Sequence, residues 1–164
     1  MSADASALQR LSTRLCPWLA PSLERLETAR RGGRLAHGWL IKGPAGVGKI
    51  NLALVFANRL LAGVEPGAPP PALAASDAAR AMQDRHVPAD HDPDLHWLFP
   101  EEDKKTIGVE QVRDVIEAVA LKGFRGADKA VIVEPAEAMT TAAANALLKT
   151  LEEPTDRTYL LLVS

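Results

Sequence analysis

Apolar residues are spaced along this chain in two alternating ways. Short, nearly unbroken runs occur at Trp39-Leu40-Ile41, in Leu95–Phe99, at Lys129–Val133 and from Thr158 to Ser164. Runs of that length suit strands buried on both faces. Between them the apolar positions recur every three or four residues: 52, 55, 56 and 60 in the stretch 48–62, then 109, 112, 115, 116 and 119 in 107–121, then Ala144, Leu147, Leu148 and Leu151 in 140–154. That spacing gathers them on one face of a helix. The punctuation agrees, with Gly63 closing the first of these helices, Thr140–Thr141 opening the last and Pro154 stopping it. Upstream, residues 5–31 hold two helical stretches divided by Pro17. The clearer one carries Leu23 and Leu26 on one side and ends in Arg30-Arg31 before Gly32-Gly33. Cations there suit a helix C-terminus, and we read them as a solvated helix end rather than a phosphate contact. Strands alternating with helices predict an α/β fold, a central parallel β-sheet flanked by helices with right-handed crossovers.

Bulk properties narrow the function classes. The 164 residues are 47% hydrophobic and 24% charged, as expected for one soluble domain over 1–164. A net charge of −2 offers no general attraction to nucleic acid or an anionic membrane, so any DNA contact has to be local or made through partners. The single cysteine, Cys16, excludes an intrachain disulfide and suits a reducing compartment. The N-terminus lacks the apolar core of a signal peptide, and no run approaches the ~18 residues of a membrane span. A cytoplasmic location and no membrane partner are expected. Residues 64–76 are rich in Pro, Gly and Ala and read as an excursion from the core fold, followed by a short helical piece over 76–85. Next, His86, His91 and His96 lie among Asp90, Asp92 and Asp94, with spacings that match no metal-ligand pattern. They read as a polar loop, and no metal is expected.

The chemistry concentrates after the first apolar run. Gly43-Pro44-Ala45-Gly46-Val47-Gly48-Lys49 follows a strand and opens a helix, the context a phosphate-binding loop requires. Its glycines let backbone N–H groups turn inward as an anion nest, and the next helix adds its positive end. Lys49 supplies a charge for the β- and γ-phosphates, a contact worth about 1.5–3 kcal/mol. The following position should carry a hydroxyl for Mg²⁺, but it is Ile50. A hydrolysing site also needs acids at the end of a second apolar strand. After Ala130–Val133 come Glu134 and Pro135: Glu134 approximates a metal-side carboxylate, whereas Pro135 stands where a water-positioning acid belongs. General-base help is worth roughly 10²–10⁴ in rate. Its loss together with the Mg²⁺ hydroxyl predicts a phosphate loop without turnover. Glu137, three residues on, is the one conceivable substitute and reads more simply as a surface charge. Static binding of ADP or ATP remains open, as does an active P-loop ATPase with an unorthodox metal site, or a scaffold that ignores nucleotide.

The helix TAAANALLKTLEEP over 141–154, after an apolar strand, strongly resembles the segment following the Walker B strand in bacterial clamp-loader AAA+ proteins of DNA polymerase III. Cys16-Pro17-Trp18-Leu19, the approach GRLAHGWLIKGPAGVGK, PDLHWL and IGVEQVRDV resemble the delta-prime branch, whose ATPase motifs are often degraded, more than the gamma/tau motor branch. The resemblance implies a P-loop NTPase fold of AAA+ type and a degraded Walker B at Glu134-Pro135. It further implies a non-catalytic subunit helping to load the sliding clamp on primed DNA, with gamma/tau and delta as partners. An active gamma/tau-type ATPase is the alternative. No cysteines lie between 63 and 90, so the zinc module of the motor branch is not expected. The chain stops at Ser164, near the family's sensor-1 position and before its Ser-Arg-Cys motif, lid and collar. An N-terminal AAA+ domain of a longer protein is therefore expected.

Overall fold

A computed structural model describes residues 15, 17–63, 65, 93–101, 103–121, 128–155 and 157–164. Of the expected excursion over 64–76 only Glu65 is described, and the helical piece over 76–85, His86, His91 and Cys16 lie outside the described residues. A 3-10 turn, Pro17–Leu19, leads into α1 (Ala20–Arg31). Then follow β1 (Gly38–Ile41), α2 (Lys49–Leu61), β2 (Leu95–Leu98), α3 (Val109–Ala120), β3 (Lys129–Val133), α4 (Thr141–Glu152) and β4 (Thr158–Val163).

The four strands form one sheet in the order β1-β4-β3-β2, and every pairing is parallel. Leu40 sits opposite Leu162, and Val133 opposite Leu162 on its other side, so the last strand in sequence lies between the first and third. All five residues of β3 are buried, as its continuous apolar run requires. Alternate residues of β3 and β4 feed two separate apolar clusters. Ala130, Ile132, Leu161 and Val163 pack with α1 and α2, whereas Val131, Val133 and Leu160 pack with α3 and α4.

Several local expectations shift. In α2, Ile50 through Ala57 are buried almost without a break, together with Arg59 and Leu60, because α1 covers the side turned away from the sheet. Ile107 does not open the α3 helix; it forms a parallel bridge with Met139 and is fully buried there. The buried residues of α4 are Ala143 and Leu147, while Ala144 and Leu151 are half-buried. Leu148 is 53% exposed rather than part of a buried face, because the helix is rolled toward Ala143.

Candidate functional site

The loop between β1 and α2 has the backbone its glycines predict. Gly46 (φ 80°) and Gly48 (φ 91°) occupy the left-handed region, where a side chain is strained. Gly48 is also the N-terminal cap of α2, a 13-residue helix. Pro44, Ala45 and Gly46 are exposed, and Gly43, Val47, Gly48 and Lys49 are half-buried. The Lys49 ammonium is folded back on the loop, donating to the carbonyls of Gly43 (2.7 Å) and Pro44 (2.8 Å). An incoming phosphate would have to exchange for these two neutral acceptors. Ile50 is 6% exposed and belongs to the apolar cluster beneath the loop. The hydroxyl position of an Mg²⁺ site is thus part of the core, and substituting Thr there would bury a polar group among Leu26, Ile132 and Leu161.

Trp18 is a contact that motif reasoning assigns no role. Its indole N–H donates to the Val47 carbonyl at 2.9 Å, while the ring is 65% exposed and the adjoining Leu19 is anchored in the core. The signal was visible only as the tetrapeptide Cys16–Leu19, which carries no chemistry by itself.

Glu134 follows β3 at the same, C-terminal edge of the sheet. By register it is level with Val163 and Ile41, two strand spacings (roughly 9–10 Å) from the start of the loop. Its backbone N–H is held by the Leu98 carbonyl at 2.9 Å. A cis peptide joins it to half-buried Pro135, and the chain then makes a 3-10 turn, Ala136–Ala138, that leaves Glu137 exposed. The fold therefore gathers the loop and the Glu134-Pro135 corner at one end of the strands, the usual ligand edge of an open parallel sheet. Among the described residues, no group of three or more His, Cys, Asp or Glu side chains is arranged to hold a metal.

The opposite edge is built for packing. The His37 ring donates through Nδ1 to the Thr158 carbonyl (2.8 Å) and stacks on Tyr159 with centroids 5.7 Å apart. Burial, with the nearby Asp128 charge, pushes the Tyr159 hydroxyl above its ordinary pKa. The Arg157 guanidinium is likewise raised by its hydrogen bond to Asp128 at 2.8 Å.

A parallel sheet with a strand–G-x-x-x-x-G-K–helix corner, facing an acid-bearing strand end, is a P-loop NTPase fold of the AAA+ kind. The family described as DNA polymerase III, delta subunit, matches residues 19–164, and the chain belongs to that family. Over 135 residues it is 46% identical to DNA polymerase III subunit delta' of Pseudomonas aeruginosa, covering 81% of this chain and 39% of that protein. Over 148 residues it is 36% identical to the Escherichia coli protein of the same name, covering 90% of this chain and 42% of its relative. It thus spans about two fifths of the length of these curated relatives. A crystal structure of a DNA polymerase III gamma subunit-related protein from Thermotoga maritima shares the fold, with a TM-score of 0.59 at 24% identity over 85% of this chain and 38% of that one.

Proposed function

We propose that this chain is the AAA+ domain of a non-motor, delta-prime-like clamp-loader subunit of DNA polymerase III. In this reading it works in the cytoplasm beside gamma/tau and delta subunits. It serves as a fixed support while ATP-driven neighbours open the sliding clamp and place it on primed DNA. The observation that carries the non-motor reading is the pair of substitutions at the nucleotide corner. Ile50 is built into the core where a Mg²⁺ hydroxyl would stand, and Pro135 occupies the place of the water-positioning acid. The glycine nest and Lys49 persist, so the loop holds ADP or ATP weakly, without turnover.

Exposed Glu152 and Glu153 end α4, where acidic charge opposes the helix dipole by roughly 0.3–1 kcal/mol each. A basic group on a neighbouring subunit would offset that cost. Changing both to Gln is expected to weaken assembly with gamma/tau subunits in size-exclusion binding assays; unaltered assembly would remove this contact from the proposal. For the nucleotide site, purified protein is titrated with fluorescent ADP and ATP, with and without Mg²⁺, while phosphate release is followed. Expected are weak binding lost in Lys49→Ala and no release. Release that disappears in Lys49→Ala would instead support the gamma/tau-type ATPase.

A further inference from the structure

We propose that Trp18 is a positioning residue for the phosphate loop, setting the direction of the Gly48 N–H through the Val47 carbonyl. The inference rests on the reading above that the loop takes a nucleotide, and it adds the residue that shapes the cradle. The Val47–Gly48 bond is trans, so its C=O and N–H point to opposite sides of one rigid unit. A donor that grips the Val47 oxygen therefore fixes where the Gly48 hydrogen points. Trp18 is that donor, at 2.9 Å.

The loop needs such a hold. Gly46 and Gly48 both sit at positive φ, and glycine backbones sample both signs of φ with little preference. Freedom of that kind lets an anion nest collapse when it is empty. Among the described residues, Lys49 is the other side chain bound to the loop, and it engages Gly43 and Pro44 at the far end, away from the Val47–Gly48 unit. Trp18 in turn is placed by Leu19, which is buried in the cluster that also contains Ile50. The hydrophobic core thus reaches the nest along two routes: through Ile50 at the start of α2, and through Leu19 and the Trp18 indole from outside.

The test separates this role from ring stacking and from bulk stability. Trp18→Phe keeps an aromatic ring but loses the N–H donor together with part of the indole; Trp18→Ala removes the ring as well. In the ligand-free protein, the Gly48 amide resonance is expected to move in Trp18→Phe, while those of Leu54, Val55 and Phe56 in the middle of α2 do not. An unmoved Gly48 amide overturns the proposal whether or not any ligand binds. In calorimetric titrations, Trp18→Phe is expected to weaken inorganic pyrophosphate and ADP alike, about 3–10-fold, the range for one lost hydrogen bond. Loss confined to ADP would make Trp18 a base contact and overturn the positioning role. If neither ligand binds the parent protein or Lys49→Ala, the nucleotide reading fails, and the Gly48 resonance still decides whether Trp18 orients the loop.

Discussion

Side chains with a single well-defined environment make the sharpest tests. Tyr159 is the only tyrosine of the chain, so its ionisation can be followed by ultraviolet absorbance without assignment. Burial raises its pKa in the folded state, so the folded protein holds that proton more tightly than the unfolded chain does. The associated stability is complete below the unfolded value of about 10 and is lost as pH rises through the folded value. The melting temperature is expected to fall more steeply with alkaline pH in the parent than in Tyr159→Phe. Parallel curves would show that the hydroxyl is not linked to folding. A second residue-scale test concerns Glu27 and Arg59, which are 2% and 3% exposed and joined by a carboxylate–guanidinium hydrogen bond between α1 and α2. Glu27 also lies 3.7 Å from Arg30, so Glu27→Ala removes a carboxylate that two arginines share and is expected to cost about 1.5–3 kcal/mol in urea denaturation.

Individual elements are closed by contacts that hydrophobic patterning alone does not reveal. Thr140 caps α4, its hydroxyl accepting from the Ala143 N–H at 3.2 Å; Thr140→Ala should cost about 1 kcal/mol and Thr140→Ser much less. Lys129, buried at the start of β3, donates its ammonium to the carbonyls of Val119 and Leu121 at the end of α3. Replacing it with Met leaves those acceptors short of a charged donor. The expected loss is about 1–3 kcal/mol, with faster amide hydrogen exchange concentrated in the last turn of α3. The strands, the helices and the phosphate loop were legible because each has its own periodicity or motif. The contacts of the Lys129 ammonium were not, since its partners lie on another element. Ile107 adjoins α3 in sequence but lies off its apolar stripe and is spent on the bridge to Met139, and Leu148 shares a period with Leu147 and Leu151 but falls on the solvent side. Nor was the role of Trp18 legible, because a hydrogen bond to a carbonyl 29 residues away leaves no periodic trace.

For the molecule as a whole, β3 couples the two apolar clusters, giving Ala130 and Ile132 to one and Val131 and Val133 to the other. Both faces are therefore expected to unfold together. Tryptophan fluorescence, which reports Trp39 and Trp97 on the α1–α2 side together with exposed Trp18, and far-ultraviolet circular dichroism should give coincident urea transitions. Ile132→Ala, which empties a fully buried site, should move both by about 2–5 kcal/mol. The strand order has a further consequence during protein synthesis. Ribosomes deliver β1 and the glycine loop first, yet the strand that joins β1 to β3 is made more than a hundred residues later, as the His37–Thr158 separation of 121 positions records. Until Thr158–Val163 emerges, β1 has none of its four register partners on β4 and no link to Glu134, and the hydrophobic edge of β3 stands open. The nascent chain thus passes through an interval in which strand edges are exposed and the binding corner is unformed, a window suited to holding by a chaperone at the tunnel exit.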